Sequence, residues 1–274
     1  MEWLAIILSG ILAAISPAGV ILDRLAADAL RSQVAGVEEL AVRIDNTPSY
    51  QVLQGKIQRV RLASRGLEPI PQLRLAVLEL DTDPLTLDLQ RLQQKGKIGN
   101  PQSLLRQPFQ GAVRLVVTES DINRALASKE LKAKLQALLN RAIPQKEGSP
   151  LAVFSLTELR LDFLGDNRSR LYLKLQPQAA AGEEVSPPLE MELAAKFAIT
   201  GGRTLQILET QGTLNGRRMS GKLLQGFAEG LSEDYLDLRK LEAKGITARI
   251  LQFRIDQDTM EVAAFIRIEP SQRQ

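Results

Sequence analysis

Arginines that could hold a phosphate group recur on one face of a predicted strand. Arg59 and Arg61 are two positions apart, and Arg65 has the same parity just beyond the strand, which we expect over residues 56–64. Side chains at i and i+2 of a strand lie about 7 Å apart on one face. Guanidinium groups bind phosphate oxygens through paired hydrogen bonds. The solvated outer face of a sheet would carry the same charges, so both interpretations stay open.

A second basic cluster stands beside a predicted helix start. It consists of Arg217, Arg218 and Lys222, and the same two interpretations apply to it. The net charge of the chain is only +3, because 32 acidic residues dilute the positive charge. With one Trp, three Tyr and seven Phe, the chain has few aromatic platforms for bases to stack on. We therefore expect no nucleic-acid partner.

The composition removes most catalytic chemistry. The chain has no histidine and no cysteine, which excludes Ser–His and Cys–His nucleophiles and zinc sites built on these residues. The acidic pair Glu183-Glu184 falls in a predicted loop, where solvation explains it. Gly201-Gly202 and Gly212 lack the strand–loop–helix context of a phosphate-cradling loop. We predict that the protein is not an enzyme and that it uses no cofactor and no metal.

An uncharged run from Trp3 to Leu22 opens the chain. Ser16-Pro17 divides it, because serine can cap a helix and proline suits a first helical position. We predict an apolar leader at residues 1–16 and a single domain at residues 17–270. The leader fits a short uncleaved anchor, a cleaved signal segment or a buried helix. The first two place the protein at a membrane, or in the periplasm or cell envelope (the thylakoid lumen in a photosynthetic source).

Most of the chain alternates apolar and polar residues with the period of a strand. Gly201-Gly202 suits the tight turn of one hairpin, and Asp256-Gln257-Asp258 the turn of the last. Thr118 begins a helical region that reaches about residue 140, and residues 219–231 form a second helix. The predicted fold class is α+β: a long curved antiparallel sheet packed with a few helices around an elongated apolar cavity, preceded by the apolar leader helix.

Two sequence blocks carry a family resemblance. The first runs from Asn46-Thr47-Pro48-Ser49-Tyr50 through Gly55-Lys56-Ile57 to Arg61, and the second is Val113–Leu126, with Thr118-Glu119-Ser120-Asp121 at its centre. In this order and separation they resemble the LmeA-like family of bacterial envelope proteins. The resemblance implies a phospholipid-binding protein, similar to the tubular lipid-binding folds, that has an elongated apolar cavity and no enzymatic activity. It carries over no catalytic motif.

If the chain binds a lipid, its basic residues and the composition of two loops suggest where. Headgroup contacts are expected from Arg59, Arg61, Arg65 and Arg124, with Asn123 near Arg124 at the mouth of the cavity. Residues 95–110 and 176–188 could gate access, and we expect Leu104, Leu105 and Phe109 to be exposed in the first of these loops. The side chains that line or open the cavity are predicted to be Leu104, Leu105, Phe109, Leu115, Val117, Leu161, Phe163, Leu173 and Phe197.

The expected partners are phospholipid and a membrane surface. The expected function is non-enzymatic binding of phospholipid, which could extend to its transfer. The alternative is a structural envelope protein that pairs its sheet with a protein partner, since both functions need accessible apolar surface. The residues of Thr118-x-x-Asp121 also have a structural explanation as the cap of the following helix.

Overall fold

Antiparallel strands make up most of the protein. The computed structural model describes residues 27–28, 30–47, 49–90, 101–142, 154–177 and 187–271. In chain order its strands are β1 (Glu39–Asp45), β2 (Lys56–Ile57), β3 (Arg59–Ile70), β4 (Leu73–Thr82), β5 (Leu85–Thr86), β6 (Phe109–Thr118), β7 (Phe154–Gly165), β8 (Arg168–Pro177), β9 (Leu189–Thr200), β10 (Thr204–Leu214), β11 (Arg217–Arg218), β12 (Ile246–Ile255) and β13 (Thr259–Ile268). The α-helices are α1 (Glu119–Ala127), α2 (Lys129–Ala142) and α3 (Gly221–Tyr235), and short 3₁₀ helices cover Ser49–Gln54, Pro101–Leu104 and Leu238–Lys244.

These strands form two large sheets. Sheet 1 has six strands in the order β1-β3-β4-β6-β13-β12, and sheet 2 has five in the order β11-β10-β9-β8-β7. The short strands β2 and β5 pair separately. The chain thus builds most of sheet 1, leaves it to form sheet 2, and returns at its C-terminal end to pair β13 with β6.

The alternation of residue types in β3 decides which face of sheet 1 is buried. Val60 and Leu62 are buried, whereas Arg59, Arg61 and Arg65 are exposed. Apolar residues follow one another across the strands on the inner face: Val42 of β1 pairs with Leu62 and Leu62 with Leu80 of β4. The core therefore lies on this inner face, and the charged residues lie on the outer face.

The core of sheet 1 is well packed. Leu30, in the helical segment that precedes β1, is fully buried, and Val60 and Leu67 are also 0% exposed. The segment after β5 closes the other side of this core, where Leu87 forms a bridge with Leu105. The helical segment before β1 and the segment after β5 therefore both pack against the core of sheet 1.

Contacts at one end of sheet 2 join it to sheet 1. The Asn167 side-chain oxygen accepts a hydrogen bond from the Ile255 backbone N–H at 2.8 Å, and the Asn167 N–H donates to the Ile255 carbonyl at 3.2 Å. The Ile250 N–H donates to the carbonyl of Gly202 at 2.7 Å. The rings of Phe197 and Phe253 lie 6.2 Å apart, centroid to centroid. These bonds link β12, the edge strand of sheet 1, to the turns of sheet 2.

Helices α1 and α2 cover the free edge of β7. The Asn123 amide donates to the Leu161 carbonyl and its oxygen accepts from the Leu161 N–H, both at 2.8 Å. The Gln136 amide likewise donates to the Phe154 carbonyl at 2.6 Å, and its oxygen accepts from the Leu156 N–H at 2.7 Å. Side-chain amides thus replace the neighbouring strand that an edge strand lacks.

The predicted fold class is wrong. The protein is mostly sheet rather than α+β, and its strands form two separate large antiparallel sheets instead of one long curved sheet packed with helices. Alternation along the chain identifies individual strands, but it does not say which strands pair. The pairing of β13 with β6 and the separation of β7–β11 into a second sheet are long-range choices that no local pattern encodes. The predicted leader lies outside the described residues.

Several local predictions are confirmed. Gly201 and Gly202 have φ angles of +61° and +68°, which a type I′ turn requires of both central residues. Thr118 caps α1, where its hydroxyl oxygen accepts the Asp121 N–H at 3.1 Å. The expected single helical region is two helices, which separate at Ser128. None of the helices in the described part of the chain is both long enough and apolar enough to cross a bilayer.

Candidate functional site: the apolar face of sheet 2

One face of sheet 2 is apolar along its whole length. Leu171 and Leu173 of β8 pair with Leu193 and Met191 of β9, so these four side chains share a face. Leu161 on β7 pairs with Leu171 and extends the same face. Further members of this apolar face, from all four long strands, are Leu159, Phe163, Leu175, Leu189, Ala195, Phe197, Ile199, Leu205, Ile207 and Leu214.

The apolar face of sheet 2 is not packed like the core of sheet 1. Leu171, Leu173, Met191 and Leu193 lie on the central strands β8 and β9, where burial should be greatest, yet all four remain partly exposed. By contrast, Leu78 on the inner face of sheet 1 is only 1% exposed. Apolar side chains that stay accessible in the middle of a sheet mark a surface that can receive an apolar ligand.

The inner face of sheet 1 continues into this surface. Leu115 of β6 pairs with Val262 of β13, and Val262 pairs with Phe253 of β12, which contacts Phe197 of sheet 2. Leu115, Val262 and Phe253 are partly exposed like the residues of sheet 2. The two apolar faces therefore meet at the Phe197–Phe253 contact.

Most of the predicted cavity residues lie on these two faces. Phe163 and Val117 are buried there, while the partly exposed ones are Leu115, Leu161, Leu173 and Phe197. The fold thus places these predicted side chains on the two joined surfaces. Their contact with a lipid remains a prediction.

The expected exposure of Leu104, Leu105 and Phe109 is wrong. Their side chains are at most 5% exposed and belong to the core of sheet 1. Backbone hydrogen bonds fix this segment, since the Asp88 N–H donates to the Leu104 carbonyl at 2.8 Å and the Arg106 N–H donates to the Thr86 carbonyl at 2.9 Å. The glycines that suggested a loose loop precede this segment, and residues 91–100 lie outside the described part of the chain. Residues 178–186 of the second proposed gate lie outside it as well.

Three of the predicted headgroup arginines lie on the outer face of sheet 1. The Arg59 Nε donates to Asp81 at 2.6 Å, and the Arg61 Nε donates to Asp45 at 3.1 Å. Arg65 lies 3.8 Å from Glu39, its partner across the strands. The sheet itself separates these arginines from its inner, apolar face.

The ion pairs of the outer face shift the pKa values of their members. The hydrogen bond from Arg59 lowers the pKa of Asp81, and in return Asp81 raises the pKa of Arg59. Hydrogen bonds from Arg61 and then Arg43 lower the pKa of Asp45. A phosphate group would have to compete with these carboxylates for the arginines. Their headgroup role stays a prediction.

Arg61 also borders a groove on the outer face of sheet 1. The groove has a volume of about 470 Å³ and crosses several strands. Its floor carries small side chains and its rim carries charged ones, among them Ala41, Ala63, Ala112 and Ala263 with Arg43, Arg61 and Arg114. The small side chains on this face explain the groove, because larger ones would fill it.

Arg124, the fourth predicted headgroup residue, is exposed and belongs to an ionic network around one buried carboxylate. Asp121 is 2% exposed and accepts hydrogen bonds from Arg124 at 3.1 Å, from Arg74 at 2.9 Å and from the Thr118 hydroxyl at 2.7 Å. Arg74 also donates to Glu38 at 2.7 Å. The second sequence block is thus explained by structure, since its residues join α1 to sheet 1 and cover β7.

The roles of Arg74 and of the Asn123 amide were not predicted from the sequence. Arg74 stands far from Asp121 in the chain, so no local motif could indicate the pair. Asn123 lies on a helix face, which gives no sign that it replaces a strand. Among the described residues, no group of three acidic side chains is placed to hold a metal ion.

Comparison with known proteins gives one match. The model of the LmeA-like phospholipid-binding family covers residues 13–265, which is nearly the whole chain. Searches of curated proteins and of solved structures give no significant match.

Proposed function

Because this chain belongs to the LmeA-like phospholipid-binding family, we propose that it binds a phospholipid without catalysing a reaction. The acyl chains would lie against the apolar face of sheet 2. The observation that supports this most is the partial exposure of Leu171, Leu173, Met191 and Leu193 on the central strands. Apolar residues that the protein itself leaves accessible can be covered by an apolar ligand instead.

The driving force is the removal of acyl chains from water. Each methylene group buried contributes about 0.8 kcal/mol, so on the order of ten or more buried methylene groups are needed for micromolar affinity. No reaction step is needed, and the lipid enters and leaves by passive exchange. We propose that the protein carries the lipid at a bacterial membrane or within the cell envelope, to which its apolar leader would direct it.

The alternative, a scaffold that pairs its sheet with a protein partner, has less support. Strand pairing needs a free sheet edge, and the edge of β7 is covered by Asn123 and Gln136. On the other side of sheet 2, the Ile207 N–H donates to the Ser232 hydroxyl of α3 at 3.1 Å. Contacts within the chain therefore occupy part of both long edges of sheet 2.

Lipid analysis of the purified protein tests the proposal. The protein is purified without detergent and extracted with organic solvent, and the extract is examined by mass spectrometry. We expect phospholipid in stoichiometric amounts. Absence of lipid, together with failure to bind added phospholipid, would overturn the proposal.

A matched pair of variants tests whether the lipid binds at the apolar face of sheet 2. Leu173→Asn puts an amide on the apolar face of sheet 2, and burying an unpaired amide against an acyl chain is costly. We expect about a ten-fold loss of affinity for a fluorescent phospholipid. Leu208→Asn is the control, because Leu208 is an exposed leucine on β10 that pairs with Lys196 on the polar face. An equal loss in both variants would exclude the apolar face of sheet 2 as the site.

A further inference from the structure

The arginines of this protein divide into paired and unpaired ones. On the outer face of sheet 1, each predicted headgroup arginine has a carboxylate partner. Among the arginine side chains that the structure describes, those without an ion pair are Arg170, Arg217, Arg218 and Arg249. Three of these four lie in one region of sheet 2, which makes that region the best candidate for an external anionic partner.

The unpaired cations gather where sheet 2 passes into α3. Arg217 and Arg218 form β11, the short edge strand, and Lys222 stands in the first turn of α3. Lys222 likewise has no ion pair to a described residue. Arg170 and Arg218 line a cleft of about 590 Å³ together with one carboxylate, Glu192. Asp162, which lies opposite Arg170 across the strands, is paired with Arg160, so the cations that line the cleft outnumber its carboxylate.

An exposed apolar side chain stands next to one of these cations in the chain. Leu223 follows Lys222 in the chain and is 61% exposed. An exposed apolar side chain close to cations is typical of surfaces that rest on a bilayer, because the cations meet anionic headgroups while the apolar side chain enters the interface. A nucleic-acid surface would need aromatic side chains for stacking, and the group contains none.

The position of these cations relates them to the lipid site. Leu214, which pairs with Arg217, also pairs with Met191 of the apolar face. The other end of sheet 2 is joined to β12 through Asn167 and Ile255. Arg217 and Arg218 thus stand at the end of β10 that is remote from sheet 1.

We propose that Arg217, Arg218, Lys222 and Leu223 form a docking tip that binds bilayers rich in anionic phospholipid and presents the remote end of the apolar face to them. The inference rests on the proposed function, because a lipid carrier must reach a membrane to load. The docking tip adds two points to that function: the surface of the protein that touches the membrane, and the class of lipid that attracts this surface. Salt weakens the contact, since it screens exposed charges.

Vesicle flotation with the full chain tests the docking tip. Wild-type protein should float with vesicles that contain about a third phosphatidylglycerol and should bind pure phosphatidylcholine vesicles far less, since each cation near an anionic surface contributes about a factor of five in affinity. The variant R217Q/R218Q/K222Q should lose on the order of 100-fold in affinity for the anionic vesicles. Leu223→Ser should weaken binding to both kinds of vesicle.

The control variant is K129Q/K132Q/K134Q. It removes the same charge from α2, whose lysines also lack ion pairs to described residues. An equal loss in both triple variants would show that net charge alone attracts the protein, which overturns the tip. Binding of an RNA oligonucleotide that R217Q/R218Q/K222Q abolishes, while flotation stays unchanged, would also overturn it.

A second measurement separates this proposal from the proposed function. A short-chain fluorescent phospholipid, used below its micellar concentration, reports lipid binding without a bilayer. The triple variant at the tip should bind it like the wild type. If the wild type floats with vesicles but does not bind this lipid, the proposed function fails and the tip stands. If the wild type binds the lipid and the tip variant floats normally, the tip fails alone.

Discussion

At the scale of single residues, the buried carboxylate of Asp121 decides how sheet 1 holds α1. It is 2% exposed and accepts hydrogen bonds from Arg74, Arg124 and Thr118. A buried charge with several charged donors is costly to leave half paired. Asp121 is therefore the residue of the second sequence block whose loss the fold should tolerate least.

Asp121→Asn tests this role. The amide keeps the shape of the side chain, but its nitrogen would face the donors of Arg74 or Arg124. We expect the free energy of unfolding to fall by about 2–3 kcal/mol in urea denaturation, because hydrogen bonds to a charged group are lost. Glu39→Gln is the control, because the Glu39–Arg65 pair is exposed on both sides and such pairs contribute little. A loss as large in the control would contradict the special position of Asp121.

Residue chemistry that depends on near neighbours was the easiest to predict. Thr118 and Asp121 are three positions apart, so the helix cap could be deduced from the sequence. The ion pair of Asp121 with Arg74 could not, because Arg74 comes from β4, far away in the chain. The same limit applies to Leu105, whose bridge to Leu87 spans a segment that looked like an open loop.

At the scale of elements, period-2 alternation identified β1, β3, β4 and β6, and it separated the buried face of β3 from the arginine face. It could not tell whether the arginine face was free to bind phosphate. The cross-strand register answers this, since it sets Arg59 beside Asp45 and Arg61 beside Asp81. In the single strand β3 these arginines suggest a phosphate-binding site. In the sheet, carboxylates of the neighbouring strands pair with them and form a lattice of ion pairs.

This lattice should make stability sensitive to acid. The pKa values of Asp45 and Asp81 are lowered in the folded protein by their arginine partners, and those of Glu190 and Asp237 are lowered in the same way by Lys174 and Arg239. A carboxyl group with a lowered folded-state pKa stabilises the protein above its unfolded value, near 4, and loses this effect as the pH falls through the folded value. The urea midpoint should therefore fall below about pH 4.

Asp81→Asn provides the check on this acid effect. The variant has one fewer shifted carboxyl group, so its urea midpoint should fall less between pH 5 and pH 3 than that of the wild type. Between about pH 5 and pH 8 both should be nearly constant, because the chain has no histidine. An identical acid response in the two proteins would show that the Arg59–Asp81 pair does not contribute.

At the scale of the whole molecule, two sheets with different packing share one chain. Sheet 1 has a dry core, as the burial of Val60 and Leu67 shows, while Leu173 and Met191 on sheet 2 stay partly exposed. The two apolar faces meet only because β13 returns to β6 and brings β12 against the turns of sheet 2. The proposed lipid site is thus a product of long-range topology, which explains why the sequence indicated its side chains but not its architecture.

The joint between the sheets should control how firmly a lipid is held. Asn167 has φ +59°, and its side-chain oxygen accepts the Ile255 N–H. Asn167→Gly keeps this backbone conformation accessible and removes only the side-chain bond, at a cost of about 1 kcal/mol. We expect faster hydrogen exchange at the Ile255 amide and faster release of a fluorescent phospholipid, because the Phe197–Phe253 contact lies beside this joint.

Asn215→Gly is the matched control for the joint. Asn215 has φ +49° and accepts the Glu190 N–H at 2.8 Å, a bond of the same kind that lies within sheet 2. Its loss should cost a similar free energy of unfolding while exchange at Ile255 and release of the lipid stay as in the wild type. If both variants release lipid equally fast, general loss of stability explains the effect. If neither does, the two sheets hold the lipid independently of their joint.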